Sequence, residues 1–348
     1  MFSKYVNLSH DRLLEYVGSC KKDGFCHVLS VRDGILYVHK MGTAFQTRHS
    51  DTIRLLDRVV KKFAPLPDAD FIVDTSDGNV DTHGLPVMMI NGRAGNPTGI
   101  AVPDWSFLNW ATSQCPGEAS HLWVDFMTNT TNRYKQFQKD PVSFLQSKRS
   151  KMFWRGAENA GRGEVLKKIL SSKPDSIPAS FYDTEIMAWV NNRADGKNIA
   201  RNCVSMNDHC QNRFLLHLHG LTSSNRIKYL LLCGSIVVMP KQEFEEWWFP
   251  AILPNNQMML EVKSNSSDIH QKISELFSED DEYVSDRMVM MSEKSLEFAT
   301  TVFSEKSVDC YWATVINAGA KMWSTILNSK GRTVTEALKD EFVAFSDI

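Results

Sequence analysis

The sequence is short of most features that would place it quickly. It has almost no net charge: across 348 residues, 39 Lys and Arg stand against 41 Asp and Glu. That balance excludes the broad positive field that draws nucleic acid or anionic membrane, so any anion must be held by local groups. No apolar run approaches the ~18 residues of a membrane span. The richest, Leu230 to Met239, is broken by Cys233-Gly234. The opening MFSKYVNLSHDRLLEYVG has no apolar core or small-residue cleavage site of a signal peptide. Taking Met1 as the start, a cytoplasmic location is expected. The seven cysteines are odd in number and unpaired in spacing, which predicts reduced thiols. Cys203 and Cys210 flank His209, but the further ligands of a zinc site are missing. In a cytosolic chain the Asn-X-Ser/Thr triplets at Asn7, Asn129 and Asn265 would be chance. Walker and GxGxxG patterns are absent, as are internal repeats.

What is present is an ordinary globular composition, 43% apolar and 23% charged, in a chain long enough for two domains. CHVLSVRDGILYVHK alternates about Asp33-Gly34, which predicts a hairpin. Ser9–Tyr16 and Ser50–Phe63 carry helical signals, the second ended by Pro65 and Pro67. DFIVDTSDG reads as a strand entering an acidic loop, and LPVMMING and GIAVPDW as further strands or loop edges. A polar stretch, Thr128 to Ser150, is the expected linker. The pattern then restarts: KMFWRGAENAGRGEVLKKIL reads as strand, loop and helix, and FLLHLHGLTSSNRIKYLLLCGSIVVMP as strand, loop, helix and strand. Helices over Asp268–Phe277, Ser285–Phe303 and Cys310–Leu327 follow. This order points to an α/β architecture.

Two junctions in the second half suggest anion binding. Arg226 stands in the first turn of a helix that Ser223 or Ser224 would cap, where its charge opposes the macrodipole. An anion at that helix start would reverse the penalty, and Gly220 would let the backbone approach it. Arg155 follows Phe153-Trp154 and precedes Gly156, with Arg162 beyond, so two strand ends could clamp a diphosphate. Glu245 and Glu246, before Trp247-Trp248-Phe249, could take ribose hydroxyls or simply sit in a turn. In the first half Asp74, Asp77 and Asp104 each lie where a general base could stand, and each is equally readable as a turn residue.

Taken together, PDADFIVDTSDG, VPDWSFLNW, FWRGAENAGRGEV, FLLHLHGLTSSNRIKYLLLCGSIVV and EEWWFPAILP resemble glycosyltransferase family 90, the Rumi-like protein O-glucosyltransferases and capsule-associated xylosyltransferases, from about Cys26 to Trp323. The last two blocks are the most distinctive. The resemblance implies a GT-B fold, two Rossmann-like domains facing a cleft: residues 1–148 for the acceptor with a C-terminal helix 325–348 crossing back, and 149–324 for the UDP-sugar. It implies an inverting, metal-independent transfer from a UDP-sugar to a hydroxyl of an oligosaccharide or glycoprotein, with no cofactor. Residue by residue, Asp77 becomes the general base. Arg155, Gly156, Arg162, Gly220, Thr222, Ser223, Ser224, Arg226 and Glu246 become donor contacts, and Asp104 and Trp105 acceptor contacts. The family's Glu-Arg-Asp element is Gly161-Arg162-Gly163 here, so only Arg162 transfers. A cytosolic member would be similar to the glycosylation enzymes of large algal viruses, which makes UDP-xylose the expected donor and a β-xyloside the product. The alternatives are UDP-glucose, or a non-catalytic nucleotide- or glycan-binding protein on the same fold. A kinase or phosphatase using the same arginines would need a lysine loop and a metal-binding carboxylate pair, which are not found.

Overall fold

The computed structural model describes residues 15–16, 25–39, 46–77, 82, 84–93, 99–110, 115, 122–137, 140–191, 198–252, 257–277, 284–328 and 342–344. The helix expected over Ser9–Tyr16 lies outside these except for Glu15 and Tyr16, which are helical. The chain divides into two compact α/β units. The first comprises Met1–Asn109, Glu243–Ala251 and Glu305–Ile348; the second comprises Trp110–Gln242 and Ile252–Ser304.

In the first unit, β1 (Cys26–Arg32) and β2 (Ile35–His39) form the expected hairpin. Asp33 and Gly34 have φ of 50° and 76°, as a two-residue turn matching strand twist requires. α1 (Gln46–Lys62) follows, burying Ile53, Leu55, Leu56, Val59 and Val60 at helical spacing. β3 (Ala69–Asp74), buried at all six positions, pairs antiparallel with β1 and parallel with β4 (Met88–Met89). β5 (Gly92–Arg93) pairs with Phe244–Glu245, and β6 (Ile100–Ala101) closes the sheet beyond β4. A helix over Glu305–Asn328 is held to α1 by Asp309, whose fully buried carboxylate meets Arg58 at 2.7 Å and Lys62 at 2.8 Å. Of the helix expected over 325–348, residues 325–328 are helical, Phe342–Ala344 is instead a strand that pairs antiparallel with the open edge of β2, and the rest lies outside the described residues. Pairing of that edge satisfies backbone groups that a helix would leave exposed.

The second unit holds a sheet in the order Met259–Val262, β11 (Ile236–Pro240), β10 (Asn212–Leu216), β7 (Arg149–Ala157), β8 (Tyr182–Asn191), β9 (Asn198–Arg201). All neighbours are parallel except β8 and β9. α2 (Trp123–Lys135), α3 (Arg162–Ser171) and α4 (Arg226–Leu232) belong to this unit, α3 between β7 and β8 and α4 between β10 and β11. Phe144, Trp154, Phe214, Leu216, Ile236 and Val238 are among its core residues. Each large apolar side chain buried there contributes about 1.5–3 kcal/mol. The stretch Thr128–Ser150, expected as a linker, is packed into this unit, where Phe144 and Leu145 are buried.

The expectation of reduced thiols is overturned. Cys115 is bonded to Cys203 and Cys210 to Cys233, and Cys26 is also disulfide-bonded; Cys310 is a free, exposed thiol. Separations of 88 and 23 residues match no spacing motif, because the fold, not the local sequence, brings each pair together. Beside the second bridge, the buried Lys148 ammonium donates to the carbonyls of Cys210 (2.6 Å) and Cys233 (2.9 Å) and to Ser235 Oγ (3.1 Å). Burial holds its pKa well below the ordinary lysine value. Among the described residues no helix is long and apolar enough to cross a membrane.

Candidate functional site

In open α/β sheets, ligand-binding side chains gather where parallel strands end. In the second unit β7 and β10 lie side by side, so the C-terminal end of β7 and the segments leaving the two strands bring Arg155, Gly156, Arg162 and Arg226 into one neighbourhood. Trp154 is its floor: the guanidinium of Arg226 lies 5.8 Å from the ring centroid and that of Arg162 5.9 Å. A Cβ on Gly156 would come within 2.6 Å of the Trp154 ring and 3.2 Å of Arg226 Nη1, so glycine is what allows Arg226 its place.

The three arginines differ in what they hold. Arg155 is committed to β8. Its Nη2 meets Asp183 Oδ1 at 2.5 Å, its Nη1 donates to the Asp183 carbonyl at 2.8 Å, and Glu185 lies 3.6 Å from Nε. Arg162 is buried and donates to the carbonyls of His219 (2.7 Å), Ala157 (3.1 Å) and Leu218 (3.2 Å), which shapes the loop after β10. Burial pushes its pKa down to about 10, partly offset by Glu158.

Arg226, the first residue of α4, is only 7% exposed, yet its Nε and Nη1 have no hydrogen-bond partner among the described residues. Burial, and then the neighbouring charge of Arg162, push it down to about 9. The imidazoles that feel its field do not neutralise it. His209 is driven to about 3 and His217 well below its ordinary value, in both cases by burial first and Arg226 next. A buried cation with idle donors is costly unless an anion completes it.

The loop around it differs in detail from the sequence reading. The N-cap of α4 is Asn225, in helical conformation and with no side-chain cap bond, so neither Ser223 nor Ser224 caps the helix. The Ser224 carbonyl accepts from Ile227 N at 3.1 Å, and both serines are half-buried. Thr222 is buried, and its carbonyl accepts from Gly220 N at 3.0 Å.

In the first unit the candidate carboxylates separate by environment. Asp74 is buried and accepts from Tyr16 Oη (3.1 Å) and Ser76 N (2.8 Å). Asp104 is 3% exposed and accepts from Ser106 N at 2.6 Å and from Ser106 Oγ, capping the short helical turn Trp105–Phe107. Asp77 has its side chain 43% exposed and meets Arg48 Nη2 at 2.9 Å. Arg48 also donates to the Thr75 carbonyl at 3.3 Å and lies 4.6 Å from the Trp105 ring centroid. Thus Asp77 and Trp105 are joined through a residue that carried no motif. Glu246, expected with the arginines, lies in the segment of the first unit that pairs with β5. It is buried and accepts from Trp248 Nε1 at 2.9 Å, while Trp247 packs on Phe107 and Tyr311. Among the described residues no three His, Cys, Asp or Glu side chains gather as a metal site would need.

Comparison with known proteins agrees with the blocks quoted above. The profile of glycosyl transferase family 90 matches residues 13–340. The Aedes aegypti O-glucosyltransferase rumi homolog is 24% identical over 264 residues, 74% of this chain and 62% of that protein. O-glucosyltransferase rumi of Drosophila melanogaster is 24% identical over 74% of this chain and 62% of its own length. Human protein O-glucosyltransferase 1 is 23% identical over 81% of this chain and 71% of its own. The chain thus spans about three fifths of the length of the insect relatives. With its profile matched over nearly the whole sequence, the chain belongs to glycosyl transferase family 90.

Proposed function

We propose that this protein transfers a sugar from a UDP-sugar to a hydroxyl group, with inversion and without a metal. The observation that carries the reading is the buried Arg226 guanidinium, two of whose donor atoms are idle beside Arg162 and Trp154. A diphosphate offers the acceptors and charge these donors lack. Its demand for them grows as the glycosidic bond breaks, which makes preorganised donors effective. Arg162 shapes the loop carrying Gly220 to Ser224, and Arg155 contributes from the C-terminal end of β7. The GT-B assignment belongs to this proposal, with nucleotide contacts on the second unit and the base on the first.

Asp77 is the base. An acceptor hydroxyl is too weak an acid to lose its proton unaided at neutral pH. Asp77 takes that proton as the acceptor oxygen bonds to the sugar's anomeric carbon, while the bond to UDP breaks and UDP leaves with the electron pair. Asp104, buried and occupied in capping, positions Trp105 instead. The relatives' names favour glucose over xylose as the sugar, and a protein hydroxyl or its glycan as acceptor. The disulfides favour an oxidising compartment over the cytoplasm, which also weakens the likeness to cytosolic viral enzymes.

The test is release of UDP from UDP-glucose and UDP-xylose, with and without EDTA, by wild type and Asp77→Asn. Turnover that survives EDTA and falls ~10²–10⁴-fold in Asp77→Asn is expected. Failure to turn over either donor, or an Asp77→Asn variant as fast as wild type, sinks the reading.

A further inference from the structure

We propose that Arg48 is the positioning residue for the catalytic carboxylate, holding Asp77 through one oxygen so that the other stays open to the acceptor. The proposal rests on Asp77 being the base. Arg48 lies in the first turn of α1, in a stretch whose composition marks it for nothing. Its guanidinium nevertheless makes three engagements that converge on the end of β3. Nη2 meets Asp77 Oδ2 at 2.9 Å, Nη1 donates to the Thr75 carbonyl at 3.3 Å, and the plane lies 4.6 Å from the Trp105 ring centroid. Two donors of one rigid fork thereby fix both the backbone leading to Asp77 and its carboxylate. The indole fixes the fork from a third side. Among the described residues Asp77 Oδ1 accepts no hydrogen bond, so the pair leaves one oxygen for an incoming hydroxyl.

An ion pair this exposed adds little to stability. Fixing a reactive oxygen matters far more to rate, since a displacement of about 1 Å can cost ~10²-fold. Among the described residues the other titratable groups at this end of β3 are occupied. His49, the residue after Arg48, contacts His27 of β1 and Thr75 Oγ1. Asp74 is held by Tyr16 and Ser76 N, and Asp104 by Ser106. Among the described residues Arg48 is therefore the charged group in direct contact with Asp77.

The experiment measures melting temperature, and kcat and KM for UDP release, using whichever of UDP-glucose and UDP-xylose the wild type turns over. It compares wild type, Arg48→Met, Arg48→Lys and Asp77→Asn, with UDP affinity by calorimetry. Arg48→Met should lower kcat about 10–100-fold. The donor KM and the melting temperature should stay near those of wild type, because an ion pair this exposed adds little to stability. UDP affinity should not change. Arg48→Lys, which keeps the charge without the fork, should recover part of the rate. A wild-type kcat in Arg48→Met, with Asp77→Asn inactive, would overturn the positioning role and leave the base standing. An active Asp77→Asn would remove the base itself. Lowered kcat accompanied by a lowered melting temperature in Arg48→Met would reduce Arg48 to a folding contact.

Discussion

Arg155, near the end of β7, and Arg226, beyond the end of β10, belong to the same unit and both look like phosphate ligands, yet their environments differ. Arg155, near the C-terminal end of the interior strand β7, faces two carboxylates, Asp183 and Glu185, which offset its charge although its Nε makes no hydrogen bond among the described residues. Arg226 is buried beside a second arginine and imidazoles that stay neutral, and its Nε and Nη1 are idle. A cation already paired gains little from an anion. One held unpaired has stored, in the free protein, the cost that an anion would relieve.

Substitution of each arginine by methionine, which keeps bulk and removes charge, separates the two most widely. Arg226→Met should weaken UDP binding by about 1.5–3 kcal/mol, roughly 10–150-fold, the scale of a charge-assisted hydrogen bond. Its melting temperature without UDP should match or exceed that of wild type, because an uncompensated buried charge has been removed. Arg155→Met should change UDP affinity less than about threefold and cost about 1 kcal/mol of stability, since the carboxylates it releases are half-exposed and can hydrate. Calorimetry and thermal melts of the two variants check both points. Equal losses of UDP affinity would erase the distinction. A large fall in the UDP-free melting temperature of Arg226→Met would mean that this arginine serves the fold.

That distinction was only half legible in the sequence. The strand, loop, helix and strand from Asn212 to Pro240 follow from apolar runs and the Gly220–Asn225 break, and the hairpin follows from Asp33-Gly34. Arg226 was marked by its misfit at a helix start. Its lack of a partner was not marked, because pairing depends on what other strands bring near. Arg155 looked equally available because Asp183 and Glu185 lie about thirty residues on and arrive only through the parallel register of β7 and β8. The disulfides and Arg48 escaped for the same reason: their partners are set by the fold and leave no spacing signal. Asp77 and Asp104 could be ranked only by likeness, whereas exposure and the capping bonds of Asp104 separate them physically.

The smallest effect concerns the imidazoles near Arg226. His209 donates Nδ1 to the Ser205 carbonyl at 2.8 Å, its Nε2 has no partner, and its folded pKa is about 3 against an ordinary 6.5. His217 is shifted the same way. An unfolded chain therefore binds protons, as pH falls from 6.5 towards 3, that the folded chain refuses. The stability these groups contribute is complete above 6.5 and is lost as pH falls through that window. Each group in mid-window adds a slope of about 1.4 kcal/mol per pH unit. His209→Gln should remove one such share, so its urea-unfolding stability should fall less steeply than that of wild type between pH 6 and 5. UDP should flatten the wild-type slope as well, because an anion at Arg226 offsets the field that helps keep the imidazoles neutral. UDP binding should accordingly tighten as pH falls across the same interval. A slope in His209→Gln equal to that of wild type would show that this imidazole already takes up its proton in the folded state. A UDP effect on the slope that persists in Arg226→Met would show that the anion sits elsewhere, and the contrast between the two arginines would no longer explain the site.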